Sequence, residues 1–153
     1  VPYRRIDLAV RAFNLLGRPL VIAGDGRDRE RLQSLAGPTV TFLGRVPDAD
    51  LPDLYARCRA YILPGAEDFG IAPVQAQAAG RPVIAYRAAG ALDTVIEGRT
   101  GVFFDAPTPE SLAAAVRDFD PASVSPADCR ANAMRFDKTV FERSLLAFLQ
   151  TVH

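Results

Sequence analysis

The alternation of apolar and polar positions reads as helices interleaved with short strands. Residues 5–17 place Ile6, Leu8, Ala9, Ala12, Phe13, Leu15 and Leu16 mostly on one helical face, and Gly17 is a plausible stop. Residues 19–23 form a short apolar run, which predicts a strand covered on both faces. Gly24-Asp25-Gly26 reads as a turn, and a charged helix over 28–36 follows. Residues 40–43 predict the next strand. Asp48 or Asp50 then opens a helix that reaches about residue 59, and residues 60–63 are a third strand. A loop rich in Gly, Glu and Asp leads into an Ala-rich helix ending at Gly80, followed by a strand at 82–86. A short helix (92–97), a short strand (102–104), a helix (109–119) and two tail helices within 126–152 complete the pattern.

Strands separated by helices of this length imply βαβ crossovers and a mostly parallel sheet, hence an α/β, Rossmann-like three-layer domain. Ligands of such sheets bind beyond the carboxyl ends of the strands. The loops 24–26, 44–48, 64–72 and 87–92 are therefore the candidate sites. A length of 153 residues suits a single domain over 1–153.

Composition narrows the function. Hydrophobic residues are 49% and charged residues 24%, ordinary values for a globular domain. Lys plus Arg (18) balances Asp plus Glu (18), so no excess of positive charge points to nucleic acid. Cys58 and Cys129 lack metal-ligand spacing and read as ordinary thiols of a reducing compartment. No apolar run is long enough to cross a bilayer as a helix, and no signal peptide is read.

The segment that carries chemistry is 64–85, PGAEDFGIAPVQAQAAGRPVIA. Glu67 sits in the loop after a buried strand. Gly70 lets backbone come close to a ligand. Pro73 fits a first helical turn. Residues 69–72 would then present free N–H groups backed by the positive end of a helix dipole, a cradle for phosphate oxygens. Gln75 lies within reach of a ligand held there. On residue chemistry alone, Glu67 and Asp68 as solvated loop acids and Gln75 as a surface residue remain the alternative.

This segment resembles a large family of retaining glycosyltransferases of the GT-B fold, glycosyltransferase family 4, which contains many bacterial mannosyltransferases. The resemblance rests on the pattern E-x-FG-x-x-x-x-E-A-x-A-x-G-x-PV-I-A, here matched by Glu67, Phe69, Gly70, Ala76, Ala78, Gly80, Pro82, Val83, Ile84 and Ala85. VPYRRIDLAVRAF, IAGDGRDRERL, VTFLGRVPDADLPDLYA and AAGALDTVIEGRTGVFF resemble the family in the same order, over nearly the whole chain. The chain thus looks like the C-terminal, donor-binding half of the GT-B fold, with the first, central strand and the N-terminal acceptor domain missing.

The resemblance implies a set of roles. Glu67 contacts the donor sugar, and the backbone of Phe69, Gly70 and Ile71 holds the pyrophosphate. Gln75 stands where the family has a ribose-binding Glu; an amide keeps the hydrogen bonds but not their charge-assisted strength. Arg4 stands at the place of a Lys that neutralises the diphosphate, with Arg5 beside it; its Arg partner would precede residue 1. Arg can clamp phosphate bidentately, with a different reach from Lys. Gly44, Val46 and Asp48 resemble the nucleobase pocket, although Asp48 is equally a helix N-cap. Gly24-Asp25-Gly26 looks like a phosphate loop but reads better as a plain turn. Gly90 and Asp93 resemble a loop lining the donor cleft, with Asp93 as a helix cap the alternative.

The implied activity is retaining transfer of a hexose from a nucleoside diphosphate sugar, with Glu67 and Arg4 as the catalytic pair. GDP-mannose is the first donor and a UDP-hexose the second, and no metal or other cofactor is expected. The acceptor, a glycan or lipid-linked sugar, would sit on the missing domain, so the chain alone should bind donor without turnover. That domain could also bring membrane-surface association, and the expected location is the cytoplasm or the inner face of the plasma membrane. A non-catalytic nucleotide-binding or interaction module is the alternative. A dehydrogenase fits less well, because no G-x-G-x-x-G follows a first strand. The apolar tail residues Phe136, Phe141, Leu145, Leu146, Phe148 and Leu149 would pack on this domain or face the missing half.

Overall fold

The computed structural model describes residues 4–67 and 70–136. In chain order the elements are α1 (Ile6–Leu16), β1 (Leu20–Ala23), α2 (Arg29–Leu35), β2 (Val40–Gly44), α3 (Leu51–Arg57), β3 (Tyr61–Leu63), α4 (Ile71–Ala78), β4 (Val83–Tyr86), α5 (Ala91–Thr94), β5 (Gly101–Phe104), α6 (Pro109–Asp118) and α7 (Pro126–Met134). Helix α1 ends where Gly17 takes a left-handed conformation and donates its N–H to the Phe13 carbonyl. Helix α6 starts at Thr108, whose hydroxyl accepts from the Ser111 N–H, with Pro109 at the first helical position.

All strand pairing among the described residues is parallel, β3–β4–β5 in one ladder and β1–β2 in another. The first ladder is covered on both faces. Ile84 and Phe104 pack with Leu8, Ala9, Ala12 and Phe13 of α1 and Leu112, Ala113 and Val116 of α6. On the opposite face Leu63, Val83 and Ala85 pack with Ala91 and Val95. That is the expected three-layer α/β arrangement, and burying apolar side chains on both sides supplies most of its stability.

The mostly parallel sheet is met with a break in it: among the described residues no strand joins β1–β2 to β3–β4–β5. The family resemblance places a central strand at such a break. The apolar run at 19–23 also predicted a strand covered twice. Instead β1 alternates half-buried and exposed positions, with Val21 50% exposed and Leu43 of β2 46% exposed on the open face. An apolar run alone does not reveal whether a second layer reaches it.

Smaller differences follow from capping. Asp48 opens a 3-10 turn (Asp48–Asp50) and makes no capping hydrogen bond, and Asp50 precedes α3 likewise without one. Asp93 does not cap α5 either, because Gly90 is the N-cap and Asp93 lies inside the helix. Helix α5 stops at Thr94, short of the expected residue 97. The expected tail helices are met by α7 up to Met134; the calls on 137–153, including Phe141, Leu145, Leu146, Phe148 and Leu149, lie outside the described residues. No described helix is long and apolar enough to cross a membrane.

Candidate functional site

The loop after β3 and the start of α4 carry the site. Glu67 ends the described part of that loop, and its carboxylate turns toward Arg4, with Arg4 Nε 3.7 Å from Glu67 Oε1. Arg4 is the residue just before the turn into α1, so the two expected catalytic side chains, far apart in sequence, meet here. Arg4 is 58% exposed and Glu67 23%, which leaves the cation open to a ligand. An ion pair this exposed adds little to stability. Arg5 takes a different course. It sits in a left-handed conformation before α1 and pairs with Asp7, Nε to Oδ1 at 3.3 Å, away from Glu67.

Gly70 is the N-cap of α4, with φ −101, so no left-handed backbone calls for glycine here. The reason is space. A Cβ at residue 70 would stand 2.9 Å from Pro73 Cδ and 3.1 Å from Glu67 Oε2. The missing side chain lets the Glu67 carboxylate fold against the mouth of the helix. No described side chain caps α4. Its first N–H groups, those of Ile71 and Ala72, therefore lack intrahelical partners, with the positive helix end behind them. Ile71 is exposed at this mouth, and Gln75 is exposed one turn along. Asp68 and Phe69 lie outside the described residues.

Tyr55 and Tyr61 are neighbours that the sequence reading did not single out. The Tyr55 hydroxyl donates to Gln75 Oε1 at 3.3 Å, linking α3 to α4. Its ring meets that of Tyr61 edge-on, centroids 5.9 Å apart. Burial, then the nearby Tyr55 and Glu67, push the Tyr61 phenol well above its ordinary range, against the opposing pull of Arg4. Burial, then Cys58, raises Tyr55 as well. Both rings thus stay neutral beside the Arg4–Glu67 pair. Glu67 is also held from behind: the Gly90 N–H donates to the Glu67 carbonyl at 2.6 Å.

The other expected residues form a second group at the ends of β1 and β2. Gly24 N–H donates to the Gly44 carbonyl at 2.7 Å, and Gly44 is left-handed with the Arg29 guanidinium over it. Asp25 pairs with Arg29 and accepts from the Gly26 N–H, which makes 24–26 a braced turn. Val46 is half-buried and Asp48 exposed. This group connects to the first through α3 and the Tyr55–Gln75 bond. Cys58 and Cys129 are free, and burial raises both thiols, so neither is a ready nucleophile.

The site's geometry can be set beside known proteins. The family model for glycosyl transferases group 1 matches residues 1–135. A GDP-mannose-dependent alpha-(1-6)-phosphatidylinositol monomannoside mannosyltransferase of Mycolicibacterium smegmatis is 33% identical over 136 residues, 77% of this chain and 36% of that protein. Glycogen synthase of Mycobacterium tuberculosis is 35% identical over 127 residues, 78% of this chain and 30% of that protein. The crystal structure of Anabaena HepE with UDP and glucose matches with a TM-score of 0.78 at 22% identity, covering 99% of this chain and 46% of that one. A glycosyltransferase from Rickettsia africae matches with a TM-score of 0.84 at 20% identity, covering 98% and 45%. At those identities the two structures establish the shared GT-B architecture. The chain spans 36% and 30% of the two curated relatives' lengths. The match over residues 1–135 settles the lineage: the chain belongs to the glycosyl transferases group 1 family.

Proposed function

We propose that this chain is the donor-binding domain of a retaining hexosyltransferase that uses a nucleoside diphosphate sugar, GDP-mannose first and a UDP-hexose second. The carrying observation is the meeting of Arg4 with Glu67 beside the start of α4, where Gly70 is the N-cap. As the sugar–phosphate bond breaks, positive charge grows on the sugar and negative charge on the leaving diphosphate. Arg4 and the N–H groups at the start of α4 would stabilise the diphosphate electrostatically. Glu67 would orient the sugar through its hydroxyls. Cationic side chains and helix N–H groups do this work without a metal in this reading. Gln75, steadied by Tyr55, would meet a ribose hydroxyl, and Gly44, Val46 and Asp48 would border the base.

The support for mannose is the named activity of the relative that is 33% identical. UDP bound in a structural neighbour keeps the uridine donors in play. The acceptor would be a glycan or lipid-linked sugar held by a second domain, at the cytoplasmic face of a membrane or in the cytoplasm. A non-catalytic nucleotide-binding module is the second reading, favoured by the amide at Gln75.

The test has two arms. Calorimetry of this chain with GDP and with UDP measures nucleotide binding. Transfer from GDP-mannose and UDP-glucose is measured in the polypeptide that carries this sequence in the cell. Glu67→Ala is expected to cost about 100-fold in transfer, as loss of substrate orientation does, while nucleotide affinity holds. Binding without any transfer favours the second reading. No binding at millimolar nucleotide, with transfer indifferent to Glu67→Ala, removes the site.

A further inference from the structure

Behind the site lies a cluster of polar side chains in the apolar layer between α4, α5 and α7. Gln77 is 0% exposed, Thr94 1% and Asn132 4%. Polar groups buried this deeply are costly unless every hydrogen bond is made. Here they are. Gln77 Nε2 donates to the Thr94 carbonyl at 2.8 Å and to the Pro73 carbonyl at 3.3 Å. Asn132 Nδ2 donates to Gln77 Oε1 at 2.6 Å and to the Thr94 carbonyl at 2.8 Å. Arg135 Nε donates to Asn132 Oδ1 at 2.9 Å, and the Thr94 hydroxyl donates to the Gly90 carbonyl at 3.2 Å. No buried side-chain nitrogen or oxygen is left without a partner among the described residues.

Apolar side chains could fill the same volume, but they would not fix directions. The amides converge on one short turn, residues 90–94. Its first residue, Gly90, donates its N–H to the Glu67 carbonyl. The residue before it, Ala89, is held left-handed at φ 51, a conformation its Cβ disfavours. Such a conformation persists only when the surroundings over-determine it. The hydrogen bonds from Thr94 to Gly90, and from α4 and α7 to Thr94, supply that constraint.

We propose that Gln77, Thr94 and Asn132 are a buried positioning node that sets Glu67 in the donor site by locking the Gly90 amide onto the Glu67 carbonyl. This rests on the reading of Glu67 as the sugar-orienting residue. In this proposal the node acts through the Glu67 carbonyl. Loosening it should therefore degrade transfer while leaving nucleotide binding intact.

The experiment combines exchange and kinetics in the polypeptide that carries this sequence in the cell. Gln77→Met keeps the volume and removes the directions. Hydrogen exchange at the Gly90 amide is expected to accelerate about tenfold or more while exchange elsewhere in β3 and β4 holds. The turnover number is expected to fall about tenfold with KM for the donor steady, as for a misplaced orienting group. On a Glu67→Ala background the same change should cost less than about twofold, since the two act as one unit. Should Gln77→Met fail to fold, Thr94→Val and Thr94→Ser decide: Val should reproduce both effects and Ser should restore them. Unchanged Gly90 exchange overturns the node whatever the activity. Faster exchange with equal losses on both backgrounds overturns its action through Glu67. Faster exchange in a protein whose transfer never depended on Glu67 sinks the donor-site reading and the positioning role with it, while leaving the tether itself established.

Discussion

The two ladders of the molecule are built to different standards. On β3–β4–β5, Ile84 and Val83 face opposite ways and both are buried, and the loops leaving this ladder are tied to one another by Gly90, Thr94 and the buried amides. On β1–β2, one face is half-buried and the other leaves Val21, Ala23, Thr41 and Leu43 exposed. The elements proposed to handle the sugar and diphosphate leave the first ladder, and those proposed to border the base leave the second. Groups that must meet developing charge need fixed geometry. A base-edge contact tolerates a looser frame.

The sharpest way to break this comparison is to make one substitution in each ladder. Gly101 starts β5 opposite Val83, and a Cβ there would run into the Val83 backbone carbonyl. Backbone on both sides leaves nothing flexible to yield. Gly101→Ala is expected to cost about 3 kcal/mol or more in urea unfolding, at the severe end for overpacking. Leu43→Thr on the open face of β2 should stay within about 0.5 kcal/mol, as exposed changes do. Equal costs at the two positions would mean that the ladders do not differ in rigidity.

A smaller effect is expected from pH. Tyr61 belongs to β3, and residues 18–50, which contain β1 and β2, hold no tyrosine. Burial, then Tyr55 and Glu67, raises the folded Tyr61 above its unfolded value of 10.0. A raised acid pKa means that the folded state holds the proton more tightly. The linked stability is therefore complete below about pH 10 and is lost as pH climbs from there toward the folded pKa. Urea midpoints should hold between pH 7 and pH 9 and fall by pH 11, and Tyr61→Phe should flatten much of that fall. Tyr55, raised by burial too, keeps the remainder. A fall of the same size in Tyr61→Phe would move the alkaline sensitivity out of β3.

Local signals in the sequence located most of the described helices, and the family resemblance marked the candidate site. The α1 face and its Gly17 stop, and the start of α6 at Pro109, depend on neighbours within a turn, and they stand where the local pattern put them. Glu67, Gly70 and Arg4 were marked by the family resemblance, and the structure brings Arg4 to Glu67. What the sequence concealed depends on tertiary contact. Nothing in the residues around Tyr55 sets it apart until its hydroxyl meets Gln75 on α4. Gln77 reads as solvated by its polarity. Yet Pro73, Ala76, Gln77 and Gly80 share the i, i+3, i+4, i+7 spacing of a buried face, and all four are buried. That spacing was the available clue. The open face of β1 had none, since an apolar run looks the same under one layer or two.

The finest distinction between the two groups of residues runs through Gln75, which joins them by way of Tyr55. In the proposed role its amide meets a ribose hydroxyl, with Oε1 already accepting from the Tyr55 hydroxyl. Gln75→Glu keeps that acceptor and adds charge, and a hydrogen bond to a charged group outweighs a neutral one by about 1 kcal/mol. Gln75 is exposed, so solvent takes part of that gain. GDP or UDP affinity, measured by calorimetry, is expected to rise about threefold, short of the tenfold that 1.4 kcal/mol would give. Tyr55→Phe should lower affinity by a similar factor, and the Gln75→Glu gain should shrink on the Tyr55→Phe background because the two residues are coupled. Independent effects at Tyr55 and Gln75 would remove this link between the group at the ends of β1 and β2 and the group around Glu67.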